Sequence, residues 1–252
     1  MGGDSFQMPR FFIDNNNISG QHIYIGGDDA RHIKNVLRMK PGDSIVLCDG
    51  KGTDYNCVIE GVREGTVAAL IEETKSSCTE PSTKVTLYQG VPKSDKMDFI
   101  VQKSVELGVS RIVPVITERT VVRFKDKKDM EKKKERWQRI SHEAAKQCGR
   151  GIIPEVALPV SFDDAVELSM DAGLALIPYE KCLDTKLKET LRGDGEKNIA
   201  VFIGPEGGFS DDEIKKAVSS GIKPVTLGNR ILRTETAVLA VLVILMYEKG
   251  DI

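Results

Sequence analysis

Between residues 85 and 247 the chain alternates two kinds of segment, and this alternation restricts the fold more than any other feature. Short apolar runs rich in β-branched residues lie at 85–91, 111–116, 174–178, 199–204 and 224–227. Stretches with helical spacing separate them. Met97, Ile100, Val101, Ser104 and Val105 share one face of a helix predicted over 94–108, which Ser94 or Asp95 can start and Gly108 can end. Trp137, Ile140 and Ala144 line the inner stripe of a second, over 132–148. A third begins at Ser210 and a fourth covers 234–247. Short runs of this composition suit a parallel sheet covered on both faces. The prediction is an α/β fold, with ligands at the carboxyl ends of the strands.

The first 80 residues read differently. Ile45, Val46 and Leu47 follow the turn Pro41-Gly42-Asp43, and Asp49-Gly50-Lys51-Gly52 turns the chain into an apolar-alternating run at 55–60. Residues 61–65 lead into another run at 66–71, and one helix is predicted over 29–39. This describes a small β domain, a barrel, over 1–80, followed by a second domain over 81–252. The polar stretch 72–83 reads as the linker.

Composition narrows the partners. The 36 basic and 38 acidic residues give a net charge of −2, which excludes nucleic-acid binding by bulk charge but not a local basic patch. Five cysteines without a C-x-x-C spacing read as reduced thiols in a cytoplasmic protein. Three histidines outside any metal-binding spacing predict no metal. The first ten residues lack an apolar signal-peptide core. The longest apolar run, 237–247, falls well short of the roughly 20 residues that span a bilayer, so no membrane association is expected.

Two loops carry candidate chemistry. The run at 199–203 is followed by Gly204-Pro205-Glu206-Gly207-Gly208-Phe209, and then by Ser210 and Glu213 at capping-box spacing. Glycines there let the backbone approach a ligand closely. The loop lacks the lysine of a nucleotide-triphosphate loop, and Glu206 would repel a phosphate chain. A tight turn without ligand and a site for a positively charged nucleoside such as S-adenosylmethionine both fit. The second loop is Asn229-Arg230-Ile231-Leu232-Arg233-Thr234-Glu235-Thr236, between an apolar strand and an apolar helix. Thr234 or Thr236 can cap that helix and Glu235 suits its first turn, but capping does not explain two arginines. Their planar guanidinium groups suit a nucleobase, phosphate or carboxylate.

A basic segment is concealed by the average. Residues 118–150 hold 12 basic and six acidic side chains, a net of +6. Arg136, Arg139, Glu143, Lys146 and Arg150 recur at three- and four-residue spacings as one mostly basic stripe, and Arg31, Lys34 and Arg38 share a face of the first-domain helix. Such stripes either follow a phosphate backbone or are solvated helix faces. At the end of the basic helix, Gln147 and Arg150 can reach a base or ribose, and Gly149 serves equally as a C-terminal cap.

The paired motifs G-P-E-G-G-F-S at 204–210 and L-G-x-R-I-L-R-x-E-T-A at 227–237 resemble the SPOUT methyltransferases. With M-P-R-F-F at 8–12, H-I-x-x-V-L-R at 32–38, K-x-D-K-M-D at 93–98, V-E-L-G-V at 105–109, E-R-W at 135–137 and Q-C-G-R at 147–150, the chain more closely resembles the RsmE family of 16S ribosomal RNA uridine-N3 methyltransferases. The resemblance runs from Met8 nearly to the end. It implies a PUA-like β-barrel that binds RNA, then a SPOUT-type parallel sheet with a C-terminal trefoil knot, and a homodimer acting on the small ribosomal subunit. It implies S-adenosylmethionine held by three loops. These carry Leu176 and Pro178; Ile203, Gly204, Glu206, Gly207 and Gly208; and Leu227, Gly228, Ile231, Leu232, Thr234 and Ala237. Residues 1–7 precede the family's usual start and receive no role.

Methyl transfer to N3 of uracil requires loss of the N3 proton, so a cation that favours the anionic base would assist. Arg233 is the first candidate, followed by Arg230 and Arg150, with Glu235 as the best-placed general base. The RNA contacts expected are Arg10, Arg31, Lys34, Arg38, Arg136, Arg139, Gln147 and Arg150. A related enzyme for another ribosomal or transfer RNA base, and a non-enzymatic RNA-binding assembly factor, are the competing readings.

Overall fold

The computed structural model describes residues 8–63, 65–182, 184–192 and 195–252; residues 1–7 lie outside them. The chain divides into two units, the first holding residues up to Glu80 together with Ala145–Ile153, the second Pro81–Ala144 and Pro154–Ile252.

The first unit holds β1 (Arg10–Phe12), β2 (Ile18–Ser19), β3 (His22–Ile25), α1 (Gly27–Arg31), β4 (Ser44–Cys48), β5 (Thr53–Arg63) and β6 (Thr66–Ser76). They form one six-stranded sheet in the order β1-β4-β5-β6-β3-β2. Only β1 and β4 pair in parallel; the other strands pair antiparallel. Alternation places Ile23, Ile25, Ile45, Leu47, Cys57, Ile59, Val67 and Ala69 in one core, which Ala30 and Ile33 cover. Burial raises the Cys57 thiol to about 11, so it stays a protonated core group.

Three expectations for this unit are corrected. The polar stretch after Ile71 is a strand as far as Ser76, with Glu73 opposite Asn56 and Ser76 opposite Thr53. Its polarity reflects a solvent-facing ladder, and Asn56 donates to Glu73 at 2.6 Å. The run expected over 55–60 does not stop before Gly61: β5 continues through it to Arg63, and the register shifts between Ile59 and Gly61. The helix predicted over 29–39 stops being α-helical at Arg31 and widens into a π turn over His32–Val36. Arg38 lies past it at φ +53°. The changed winding removes the single face that Arg31, Lys34 and Arg38 would share on a regular helix.

The second unit contains β7 (Lys84–Gly90), α2 (Lys96–Glu106), β8 (Arg111–Ile116), α3 (Lys127–Cys148), β9 (Glu155–Val156), β10 (Val160–Ser161) and α4 (Phe162–Leu168). It continues with β11 (Leu174–Pro178), α5 (Leu187–Leu191), β12 (Asn198–Ile203), α6 (Asp211–Ser219), β13 (Lys223–Val225) and α7 (Thr234–Lys249). The last residues of α3 belong to the first unit. The sheet is parallel throughout, in the order β10-β8-β7-β12-β11-β13, with β9 also paired to β8. Phe202 of β12 stacks on Tyr88 of β7, with ring centres 4.5 Å apart, and meets Phe162 edge-on. The buried side chains of α2 are the five that the spacing predicted.

Strand order reverses between β7 and β12. From β7 the chain proceeds to β8 on one side, and from β12 to β13 on the other. Adjacent parallel strands whose connections diverge open a crevice at their carboxyl ends, where open α/β sheets place ligands.

Candidate functional site

The glycine-rich loop leaves β12 at this reversal. Gly208 sits at φ +66° and its N–H donates to the Pro205 carbonyl at 2.9 Å, closing a tight turn. A Cβ on Gly204 would lie 3.0 Å from the Gly208 Cα, so the loop's contact with itself already requires a glycine there. Pro205 packs on the end of β7: a Cβ on Gly90 would lie 2.5 Å from the Pro205 Cδ. The predicted capping box is present, with Ser210 and Glu213 exchanging hydrogen bonds. The buried Glu213 carboxylate also accepts from the Glu118 N–H at 2.9 Å, and Arg119 donates to the Gly207 carbonyl at 2.9 Å. The chain after β8 therefore buttresses the loop.

The second loop returns from β13 to the same place. Thr234 opens α7 with its hydroxyl donating to the Gly204 carbonyl at 2.7 Å and accepting from the Gln89 side-chain amide at 3.0 Å. Neither Thr234 nor Thr236 is the helix cap. Arg233 occupies that position without a side-chain cap bond, because the Thr234 hydroxyl serves Gly204 instead. Gln89 is fully buried in β7; its amide also donates to the Gly90 carbonyl at 2.8 Å, and its own oxygen has no hydrogen-bond partner among the described residues. A lone amide in an otherwise apolar strand run was the available signal for this residue, since a buried amide must find partners.

Between Gly228, at φ +106°, and Arg233 the chain is open. Arg230, Ile231 and Arg233 are exposed, Ile231 by 88%, and neither arginine makes an ion pair among the described residues. Residues 229–232 make no backbone hydrogen bond to other described residues. Leu227, Leu232 and Ala237 are half-buried. Pro178 ends β11 half-buried, Ile203 ends β12 buried, and Leu176 is enclosed within the sheet between Val201 and Lys223.

Charge at the site is organised by a lysine that sequence reasoning did not single out, although it lies in the K-x-D-K-M-D stretch. Lys96 Nζ lies 3.1 Å from Glu206 and 3.5 Å from Glu235. The Lys93 N–H reaches both Glu206 oxygens at 3.2 Å. Partial burial pushes the Glu206 carboxyl upward, but hydrogen bonds from its own backbone, from Lys96 and from Lys93 outweigh it and hold the group below its ordinary range. The hydrogen bond to Glu206 is the main cause that raises the Lys96 ammonium. Glu206 is thus satisfied by the protein.

The expected RNA contacts separate into two groups. Arg10 grips the buried Asp54 with two hydrogen bonds, at 2.9 and 2.5 Å. Arg150 is only 5% exposed and pairs with Glu80 at 2.6 Å. Gly149, at φ +75°, ends α3, and the Arg150 N–H closes the cap on the Ala145 carbonyl at 3.0 Å. Arg10 and Arg150 hold the first unit together, since buried guanidinium groups need such partners. This removes Arg150 from the residues facing a uracil. Arg136 is exposed but paired with Asp95 and Asp98. Arg31, Lys34, Arg38, Arg139 and Gln147 are exposed, with Arg31 paired to Asp28. Among the described residues no cluster of metal-ligating side chains occurs, and no helix is long and apolar enough to cross a membrane.

Residues 79–246 match the family model described as RNA methyltransferase domain. The chain belongs to the RNA methyltransferase family. Residues 25–72 match the RNA methyltransferase PUA domain. Ribosomal RNA small subunit methyltransferase E of Bacillus subtilis is 32% identical over 97% of this chain and the whole of that protein. The Aquifex aeolicus protein of the same name is 36% identical over 90% of this chain and 95% of its own length. Among solved structures, ribosomal RNA small subunit methyltransferase E from Neisseria gonorrhoeae, bound to S-adenosyl methionine, superposes with a TM-score of 0.82 at 36% identity, over 95% of this chain and 97% of that one.

Proposed function

We propose that this chain is a cytoplasmic, homodimeric S-adenosylmethionine-dependent enzyme that methylates N3 of a specific uridine in 16S ribosomal RNA of the small subunit. The observation that carries this reading is the junction at the β7/β12 reversal, where Thr234 ties the second loop to the first through Gly204. Family membership and the ligand named for the Neisseria relative supply the chemical class.

The residues present fit the cofactor. Residues 229–232 offer a run of backbone donors and acceptors without backbone partners among the described residues, suited to the edge of an adenine. Leu227, Leu232 and Ala237 supply apolar surface beside it. The Gln89 oxygen is a buried acceptor without a partner among the described residues. When bound, S-adenosylmethionine supplies a methyl group on an electron-poor sulfonium centre.

The chain's own residues do the rest. Arg233, exposed beside the first turn of α7 and without an ion pair among the described residues, favours the anionic form of a uracil that has lost its N3 proton. Arg230 adds a second cation from the same loop. Glu235, in the first turn of α7, is the carboxylate placed to take the proton. The two loops hold the reacting partners in line, which carries much of such a reaction. Arg31, Lys34, Arg38, Arg139 and Gln147 supply the exposed RNA contacts.

The trefoil knot and the dimer belong to the same proposal. The edge strand β13 is followed by a chain that returns to mid-sheet at Gly204, which supports a threaded C-terminus. On α7, Val243 and Tyr247 remain exposed on an otherwise apolar helix, as a second copy would require.

Mass-spectrometric mapping of ribosomal RNA from a strain lacking the gene tests the function. The expected result is loss of one N3-methyluridine from 16S RNA, restored by the purified protein with S-adenosylmethionine. An intact 16S methylation pattern, or loss of a methyl from transfer RNA instead, would overturn it.

A further inference from the structure

The segment joining β7 to α2 is the third wall of the site, and its contacts go beyond what closing a strand–helix turn needs. Ser94 holds φ +56°, a conformation that residues other than glycine rarely adopt and that persists only where the surroundings enforce it. The enforcing contacts are on both sides. Asp95 and Asp98 bond to Arg136 of α3. The Lys93 N–H and the Lys96 ammonium converge on Glu206. Lys96 then faces a second carboxylate, on Glu235, at 3.5 Å, a contact too long for a good hydrogen bond. That Glu235 oxygen is buried and has no hydrogen-bond partner among the described residues. An ammonium carries three donors, so one cation can serve both loops at once.

We propose that Lys96 is a positioning residue, which ties the glycine-rich loop through Glu206 to the first turn of α7 through Glu235 and so sets the spacing of the two loops that receive the cofactor. The inference rests on the methyltransferase reading above. The Lys96 side chain is 35% exposed, and ion pairs of that kind contribute little to folding stability. A merely structural lysine could therefore be replaced with little effect on anything. A lysine that spaces two ligand-binding loops would be felt in cofactor affinity and not in the melting temperature.

The experiment uses the full chain, with calorimetric titration of S-adenosylmethionine and steady-state methylation of 16S RNA. Lys96→Met is expected to raise both the Kd and the KM for S-adenosylmethionine by about tenfold, the scale of one charge-assisted hydrogen bond. The thermal midpoint should not move, and because Lys96 also faces Glu235 any fall in kcat should accompany the rise in KM rather than replace it. Lys96→Arg should recover part of the loss, because a guanidinium can span two carboxylates. In a Glu206→Gln background, Lys96→Met should add little, since the two act through one contact. Glu206→Gln alone carries the same test if Lys96→Met does not fold. Wild-type affinity in Lys96→Met, a fall in kcat at constant KM, or additive losses in the double variant would overturn the inference. Absence of S-adenosylmethionine binding by the unaltered protein would instead remove the methyltransferase reading, and this inference with it.

Discussion

The two loops that meet at Gly204 are built in opposite ways. In the loop after β12, Gly208 bonds to Pro205, Arg119 to Gly207, Ser210 to Glu213 and Lys96 to Glu206. In the loop before α7, residues 229–232 make no backbone hydrogen bond to other described residues, and Arg230 and Arg233 make no ion pair with them. The first is a finished wall whose shape exists without ligand. The second consists of donors and acceptors left open among the described residues. On the proposed reading, preorganisation on one side lowers the cost of binding, and open polarity on the other supplies recognition.

The largest effect expected from this contrast is at Arg233. Replacing it with alanine should lower methyl transfer about 100-fold, the scale of losing one preorganised charge-stabilising donor. S-adenosylmethionine binding should stay within about twofold, because the guanidinium acts on the acceptor base. A single-turnover assay with cofactor prebound separates the two. Equal rates would mean that the open loop binds but takes no part in the chemistry.

A change to the finished wall should behave differently. Gly90→Ala places a Cβ 2.5 Å from the Pro205 Cδ and 2.7 Å from its backbone nitrogen, and a proline ring cannot rotate away. Overpacking of this kind costs about 1–3 kcal/mol. For a chain of this size the midpoint should fall by roughly 2–4 °C per kcal/mol. Cofactor affinity should fall with it, since Pro205 carries the loop. A thermal scan showing no change would indicate that the loop yields, and that it is less preorganised than its hydrogen bonds imply.

What could be read from sequence follows the same division. The parallel sheet, the α2 core face and the Ser210 capping box were legible because each depends on local spacing. The two arginines were legible as unexplained charge between apolar elements. The role of Thr234 was not: a threonine at a helix start reads as a cap, and only the return of the chain to Gly204 gives its hydroxyl another partner. Lys96 and Arg119 were missed because their partners lie 110 and 88 residues away. The β-strand nature of 72–76 was hidden because both of its faces are polar, so no alternation betrays it. Arg10 and Arg150 looked like RNA contacts because a sequence shows charge but not the carboxylate that neutralises it.

That last distinction also separates two arginines on α3, and it predicts the smallest effect. Arg136 and Arg139 are both exposed and three residues apart, so by sequence they belong to one stripe. Arg136 is held by Asp95 and Asp98, whereas Arg139 makes no ion pair among the described residues. A cation already neutralised by two carboxylates releases few counterions when RNA binds. Arg139→Ala should therefore weaken RNA binding a fewfold at low salt and reduce the slope of log K against log salt by about one. Arg136→Ala should leave that slope unchanged, and should loosen the start of α2 instead. Filter binding of a 16S fragment across a salt series measures both. Identical slopes for the two variants would show that carboxylate pairing does not withdraw an arginine from the RNA, and the rule drawn from the two loops would then hold for backbone groups alone.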